Sequence, residues 1–299
     1  MSGALDWSTD GADWPNRAWS RFTEAGGYRW HVQRAGRGEG LLLVHGTGAS
    51  THSWAGLLPE LAQRFDVLSV DLPGHAFTRP LRRLDASLLG MTRALKALLE
   101  VERFSPSVLV GHSAGAAITV AIAGELTPAP RQVIALNGAL QPFSGAAAWA
   151  APLAARALSV NPLVVHALAQ GGRNPARVSR LIKGTGSRPG PDYLRIYGRL
   201  FGNTGHVSGT LSMMAHWDIS GVADSFLKSG MPLHQIVGAS DRAVPPSQAK
   251  ILARRSDRVT VEVLAGLGHL SHEEDAGRIC AAILSVAGSD VRLKRKAGA

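Results

Sequence analysis

Short apolar runs separated by longer amphipathic segments dominate this chain. The runs LLLVHG at residues 41–46 and DVLSV at 66–70 lack polar alternation, which is typical of strands buried on both faces. Runs of the same kind follow later in the chain: VLV from 108, RQVIALNG from 131, LHQIVG from 233 and VTVEVL from 259. The pattern therefore predicts a sheet whose central strands are covered on both sides.

The segments between these runs have other periodicities. Residues 85–103 space leucine and methionine along one helical face, which predicts an amphipathic helix. RFTEAGGYRWHVQRA at 21–35 predicts two strands joined by the turn Gly26-Gly27. Because strands alternate with helices along most of the chain, we predict an α/β fold: a mostly parallel central sheet with helices on both faces.

One region interrupts this alternation. Residues 139–222 contain no convincing strand, begin with the small-residue segment SGAAAWAAPLAARAL and are rich in arginine. We interpret them as a helical cap, or lid, inserted after the strand around Ile134. Residues 1–138 and 223–299 then form the core, and residues 290–299 form a basic tail that we expect to be flexible.

Composition favours a globular domain over a membrane-spanning, secreted or disulfide-rich protein. The 299 residues are 45% hydrophobic and 18% charged, as in ordinary globular domains, and no apolar run reaches the roughly 20 residues that span a bilayer. The first residues lack the basic-then-apolar order of a secretory signal. A single cysteine, Cys280, excludes a disulfide within the chain and offers no metal cluster. We expect a cytoplasmic protein without a metal site or a cofactor.

The net charge of +10 calls for an anionic partner or a solvated surface. No zinc spacing, RNP-like aromatic pattern or helix-turn-helix is visible, so we predict no nucleic-acid partner. The tail VRLKRKAGA carries four basic residues and is interpreted as a solvated end. The alternative is weak contact with an anionic membrane, which would place the protein peripherally at its inner face.

GHSAG at 111–115 carries the clearest chemical signal. It matches the G-x-S-x-G nucleophile elbow, in which a tight strand–turn–helix presents a serine above a sheet. A serine hydroxyl needs a base, and in this arrangement an acid and then a histidine follow the nucleophile along the chain. Asp241 ends the strand LHQIVGASD, and His269 lies after VTVEVLAG. We predict that Ser113, Asp241 and His269 form a catalytic triad.

The remaining roles follow from the mechanism. Acyl transfer needs two backbone N–H donors for the oxyanion, and we assign them to Ala114 and to Thr47 in the loop His45-Gly46-Thr47-Gly48. His45 is expected to orient that loop. Candidate substrate contacts are Trp54, His112, Met213, Met214, Trp217, Arg177 and Arg180.

Several alternatives stay open at this point. Ser113 can be a small residue in a tight turn, and Asp241 can cap a helix, with Asp218 as the reserve acid. His272 competes with His269 for the role of base. Trp54 and the methionines can be core packing, and a structural role is favoured for His112. The cap arginines form either a solvated face or a site for an anionic, largely apolar ligand.

The motifs HGTGASTHSW, DLPGH, GHSAG, GASDRAVP and GLGHLSHEE together resemble the α/β-hydrolase superfamily over nearly the whole chain. The opening W-x₂-DG-x-DWPNR and the cap segment LIKGTGS…MMAHWD further resemble the magnesium chelatase accessory proteins of bacteriochlorophyll biosynthesis. Ala76 in DLPGHAFT departs from the pattern, since glycine is common there, which puts the fine geometry of that loop in question.

The resemblance implies an α/β-hydrolase fold and a cofactor-independent serine hydrolase that acts on ester-type bonds near magnesium insertion into a porphyrin. The alternative is a non-catalytic accessory protein that holds a porphyrin in the same cleft and associates with magnesium chelatase. For a hydrolase, the resemblance implies that the small-molecule substrate is a porphyrin or a porphyrin ester.

Overall fold

The computed structural model describes residues 4–142 and 161–296. The strands of these residues are β1 (Ser20–Ala25), β2 (Tyr28–Ala35), β3 (Glu39–Val44), β4 (Phe65–Val70), β5 (Arg79–Pro80), β6 (Pro106–His112), β7 (Gln132–Leu136), β8 (Leu233–Gly238) and β9 (Val259–Leu264). They form one sheet in the order β1-β2-β4-β3-β6-β7-β8-β9, with β5 beside β2.

The described helices connect many of these strands, and five of them follow one another between β7 and β8. They are α1 (Trp7–Asp10), α2 (Leu57–Leu61), α3 (Leu88–Val101), α4 (Ala114–Ala123), α5 (Pro162–Gly172), α6 (Pro175–Gly184), α7 (Pro191–Phe201), α8 (Thr204–Ala215), α9 (Val222–Ser229), α10 (Pro246–Ala253), α11 (Ser271–Glu274) and α12 (Ala276–Lys296). Short 3-10 helices span Arg17–Trp19 and Thr51–Trp54.

Strand direction follows the sequence pattern. The run β4-β3-β6-β7-β8-β9 is parallel throughout, whereas β1, β2 and β5 add antiparallel pairs at one edge. β1 and β2 form the expected hairpin, and the positive φ of both Gly26 and Gly27 suits a two-residue turn that matches strand twist. The predicted mostly parallel sheet is confirmed.

Helices cover both faces of the sheet, as the apolar runs predicted. In β3, Leu42 and Val44 join the core beneath α3 and α4, whereas Leu41 and Leu43 join the core beneath α2 and α12. Successive side chains of a strand point to opposite faces, so a continuous apolar run supplies both cores at once. All four of these side chains are fully buried.

Helices α5–α8 fill the described part of the region interpreted as a cap, and no strand occurs there between residues 161 and 222. The whole small-residue segment, residues 144–158, lies outside the described residues, and so does its arginine, Arg156. The cap packs on the core through Ile196, Tyr197 and Leu200, which share a cluster with Trp14 and Phe77. Arg199 adds an ion pair with Asp13 at 2.7 Å.

The basic carboxyl-terminal segment continues the last helix. α12 runs through Lys296, so the backbone from residue 290 to 296 is helical, and the expected flexibility of the basic tail stays a prediction. Among the helices that the structure describes, none combines the length and the apolar composition that a bilayer crossing requires.

Candidate active site

Ser113 lies at the junction of β6 and α4 with a strained backbone. Its φ of 51° and ψ of −118° fall in a region that side-chain-bearing residues rarely adopt. Its N–H donates to the carbonyl oxygen of Leu136 at 3.0 Å, and its own carbonyl accepts from the N–H of Ala139 at 3.1 Å. Neighbouring strand β7 and the loop after it therefore hold the elbow in place.

The two glycines of GHSAG are required by close backbone packing. A Cβ added at Gly111 would lie 2.5 Å from the Cα of Ala116, and one added at Gly115 would lie 2.2 Å from the carbonyl oxygen of Val44. Real Cβ atoms do not approach so closely, so only glycine fits at either position. This close packing is the steric reason for a serine between two glycines.

His269 and Asp241 are paired at the carboxyl edge of the sheet. His269 Nδ1 is 2.8 Å from Asp241 Oδ2. The other oxygen, Oδ1, accepts from the N–H groups of Ala243 and Val244, each at 2.8 Å. Since a carboxylate accepts the Nδ1 proton, the Nε2 of His269 is left as the proton acceptor.

Asn137, which the sequence analysis did not single out, supports the same carboxylate. Its Nδ2 donates to Asp241 Oδ2 at 2.8 Å, and its Oδ1 accepts from Ser271 Oγ at 2.7 Å. Asn137 follows β7 directly and has a φ of 47°, a left-handed conformation that asparagine tolerates. The one available signal was its place at the carboxyl end of a buried strand, next to Gly138.

Asp218 and His272, the alternative candidates for the acid and the base, are not part of the His269–Asp241 pair. Asp218 is exposed, and its Oδ1 accepts from the N–H of Ser220 at 2.9 Å, a contact within its own loop. His272 is fully buried between the rings of Trp54 and His112, and burial lowers its pKa to about 3. Of the two acids considered, Asp241 is the one that His269 contacts.

The loop after β3 lies against Ser113. A Cβ at Gly46 would be 2.9 Å from the Cβ of Ser113, which places Thr47 one residue from this contact. His45 braces the loop: its Nδ1 donates to the carbonyl oxygen of Gly46 at 2.8 Å, and its Nε2 accepts from the N–H of Leu72 at 2.9 Å. Burial lowers the pKa of His45 to about 4, so it is a neutral brace.

Ala114 provides the second N–H position assigned to the oxyanion. It is the first residue of α4, and the N–H groups in the first turn of a helix have no partner within that helix. The Ser113 side chain makes no capping bond to these groups. The positive end of the α4 dipole therefore points to the region beside the Ser113 hydroxyl.

His206 of α8 is a second residue that sequence reasoning missed. Its Nε2 donates to the carbonyl oxygen of Gly48 at 3.1 Å, and its Nδ1 accepts from the N–H of Ala76 at 3.0 Å. The cap thus contacts two core loops through one buried imidazole. Ala76 itself has a φ of 42°, in the left-handed region that favours glycine, which explains why glycine is common at this position of the motif.

Three candidate substrate contacts lie in the packed interior. Trp54 and Met213 are fully buried, and His112 is 2% exposed, with its Nε2 donating to the carbonyl oxygen of His269 at 3.0 Å. Met213 Sδ accepts from Thr47 Oγ1 at 3.5 Å. In this structure these side chains are packed in the interior, with Trp54 against the ring of His272 and His112 bonded to the His269 loop, so their role in substrate contact stays a prediction.

The other candidates lie nearer to the surface of the cap. Met214 is 45% exposed, and Trp217 is half-buried against the core beneath α3 and α4. Arg177 lines a mainly apolar cavity of about 410 Å³ among α5–α8, whereas Arg180 lies outside it on the adjoining surface. Thr210 and Phe201 line the inner wall of this cavity and come within 3.6 Å of a Cβ built at Gly48.

Glu273 is a buried carboxyl group between the cap and the His269 loop. Its Oε1 accepts from Ser53 Oγ at 2.5 Å and from Tyr197 Oη of α7 at 2.8 Å. Burial raises its pKa to about 8, although these two hydrogen bonds oppose the rise. The described residues contain no group of three or more His, Cys, Asp or Glu side chains placed to hold a metal ion.

Comparisons with known proteins agree with this geometry. Residues 41–282 match the model of the alpha/beta hydrolase family. The magnesium-chelatase 30 kDa subunit of Rhodobacter capsulatus is 34% identical over 275 residues, which cover 91% of this chain and 96% of that protein.

Solved structures show the same fold. An alpha/beta hydrolase fold protein from Burkholderia ambifaria is 24% identical with a TM-score of 0.74, covering 89% of this chain and 97% of that one. A thermophilic esterase from Thermogutta terrifontis is 20% identical with a TM-score of 0.74, covering 90% and 98%. The chain therefore belongs to the alpha/beta hydrolase family, in the branch that includes the magnesium-chelatase 30 kDa subunit.

Proposed function

We propose that this protein is a serine hydrolase that forms an acyl-enzyme on Ser113. The observation that carries the proposal is the 2.8 Å contact between His269 Nδ1 and Asp241 Oδ2. Ser113 is held in a strained elbow, and the residue before it, His112, donates to the carbonyl oxygen of His269 at 3.0 Å. A histidine oriented by a carboxylate is the partner that a weak hydroxyl nucleophile requires.

The mechanism assigns one role to each group. His269 Nε2 takes the proton of Ser113 as Oγ attacks the carbonyl carbon of an ester, and it later returns that proton to the leaving alcohol. Asp241 holds the tautomer and stabilises the imidazolium. The N–H groups of Thr47 and Ala114 would donate to the oxyanion. Water then attacks the acyl-enzyme through the same base, which releases the acid and restores Ser113.

A fluorophosphonate probe tests this proposal. The wild-type protein should be labelled on Ser113, and both Ser113→Ala and His269→Ala should abolish labelling. Asp241→Asn should lower esterase activity by about four orders of magnitude while the fold is retained, because the imidazole tautomer is no longer controlled. Asp218→Asn is the matched control and should react normally. An unlabelled wild type, or a larger loss at Asp218 than at Asp241, would contradict the assignment.

A second candidate function is a non-catalytic accessory role in which the cap binds a porphyrin. The name of the Rhodobacter relative associates that protein with magnesium chelatase, and Arg177 and Arg180 are exposed cations at the cap cavity and beside it. Arginine suits carboxylates such as porphyrin propionates because of its bidentate geometry. Association of this chain with a chelatase belongs to this second candidate.

Binding measurements test the accessory role. If the accessory role holds, Ser113→Ala should bind protoporphyrin IX like the wild type, and the double variant Arg177→Gln/Arg180→Gln should weaken the free acid more than its dimethyl ester. Affinity that ignores both substitutions and esterification would exclude these cations from ligand binding.

A further inference from the structure

The outer face of helices α5 and α6 exposes three large aliphatic side chains. Leu163, Leu168 and Leu181 are 79%, 44% and 60% exposed. Leu168 and Leu181 line the cap cavity, and Leu163 lies one helical turn before Ala167, which lines it as well. Single exposed leucines are ordinary, but leucines grouped around one opening indicate an interaction surface.

Exposed cations lie on the helix that carries Leu181 and in the turn before it. The chain contains no Asp or Glu between Glu125 and Asp192. Exposed cations of the same two helices and of the turn between them are Arg173, Arg177, Arg180 and Lys183. Within the described ranges, no carboxylate forms an ion pair with any of these four, whereas Arg195 and Arg199 of α7 both pair with Asp13. We call the three leucines and four cations the cap face.

Aliphatic side chains and cations on one surface match the chemistry of an anionic bilayer. Leucines gain free energy by leaving water for the acyl boundary, while lysine and arginine interact with anionic headgroups. A purely solvated basic face would have no reason to expose three leucines. An acidic protein partner would account for the cations, but it would leave the apolar cavity opening between them without an explanation.

We infer that the cap face docks on an anionic lipid surface, with the cap cavity opening toward the bilayer. In this orientation an apolar ligand passes from the lipid phase into the cavity without crossing water. Thr210 and Phe201 form the inner wall of that cavity. They lie against Gly48, which belongs to the loop after β3 that faces Ser113. The inference does not depend on whether Ser113 is catalytic.

Vesicle flotation tests the inference with the full-length protein. Wild type should bind vesicles of phosphatidylglycerol and phosphatidylcholine at low salt, bind phosphatidylcholine alone weakly, and dissociate as salt is raised. Arg173→Gln/Arg180→Gln/Lys183→Gln should reduce partitioning roughly 100-fold, since each cation near an anionic surface contributes about fivefold. Leu163→Ser/Leu181→Ser should reduce it by about tenfold or more.

Matched substitutions on the core serve as controls. Lys250→Gln/Arg254→Gln/Arg258→Gln removes the same charge, and Ile251→Ser removes a side chain that is 52% exposed. Both should keep most of the vesicle binding, and so should Ser113→Ala, which separates this test from that of the hydrolase. Equal losses in the cap and control variants, equal binding to neutral vesicles, or binding to polyglutamate without binding to vesicles would overturn the inference.

Discussion

His206 Nε2, on cap helix α8, donates to the carbonyl oxygen of Gly48 in a core loop at 3.1 Å. The acceptor lies two residues beyond the contact between Gly46 and Ser113, so a cap side chain restrains the loop that faces Ser113. The same imidazole accepts from the N–H of Ala76 at 3.0 Å. Burial lowers the pKa of His206 to about 3, so the ring stays neutral and keeps one donor and one acceptor.

Replacing His206 with alanine should therefore leave a buried carbonyl and a buried N–H without partners. We expect His206→Ala to lower the free energy of unfolding by about 2–4 kcal/mol in urea titrations and to slow labelling of Ser113. His166→Ala, which removes an exposed histidine of α5, is the control and should change stability by less than about 0.5 kcal/mol. Equal effects of the two substitutions would show that the bridge is unimportant.

Gly209 of α8 packs directly on the loop that contains Gly74. A Cβ at Gly209 would lie 1.9 Å from the carbonyl oxygen of Gly74, whereas one at Gly198 of α7 would meet nothing within 4 Å. Gly209→Ala should destabilise the protein by about 2 kcal/mol or more, because the helix must move away from backbone atoms. Gly198→Ala should stabilise it by about 0.5–1 kcal/mol through helix propensity. Thermal unfolding of the pair measures both signs.

Asn137 is expected to position Asp241. Asn137→Ala removes the donor at 2.8 Å from Asp241 Oδ2, so the carboxylate can rotate away from His269. We predict at least a tenfold lower rate of Ser113 labelling with the fold retained, together with a changed pH profile of that rate. Asn174→Ala, which removes the cap of helix α6, should alter stability but leave the pH profile unchanged. An unchanged profile in Asn137→Ala would limit Asn137 to a structural role.

The raised pKa of Glu273 predicts that the protein loses stability as pH becomes alkaline. Its pKa is raised to about 8 in the folded protein, mainly by burial, and is near 4.5 when unfolded. Between these values the folded state holds a proton that the unfolded state has lost, so the free energy of unfolding falls as pH rises. The side chain of Glu273→Gln is uncharged at every pH. Between about pH 5 and 9 the free energy of unfolding of this variant should fall by a few kcal/mol less than that of the wild type. A decline of equal slope in Glu273→Gln would contradict this origin.

Buried histidines predict the opposite trend in acid. Burial lowers the pKa values of His52, His75 and His272 to about 3 and that of His45 to about 4. In this range these histidines are protonated in the unfolded state but stay neutral in the folded state. The free energy of unfolding should therefore fall as pH drops from about 6.5 toward 4. Urea midpoints measured across this range check the prediction. Constant midpoints down to about pH 4 would show that the rings are charged in the folded state.

The sequence predicted features that depend on neighbouring residues along the chain. Apolar runs such as LLLVHG identified the strands of the parallel sheet, because a strand buried on both faces has no polar positions. GHSAG identified the elbow, because its glycines are imposed by backbone contacts within one strand–turn–helix and with the adjacent strand. The order of Ser113, Asp241 and His269 followed from strand ends that a parallel sheet brings to one edge.

Tertiary structure decided what depends on partners distant in the chain. No local pattern links Asn137 to Asp241 or His206 to Gly48, since an asparagine after a strand and a histidine in a helix are common and their partners lie 104 and 158 residues away. The burial of Trp54 and Met213 could not be predicted from the sequence either, because the same apolar residue types line pockets and fill cores. Local sequence thus determined the elements and the order of the candidate catalytic residues. Packing between the core and the cap determined which groups support them, because hydrogen-bond partners of buried atoms are set only when the elements meet.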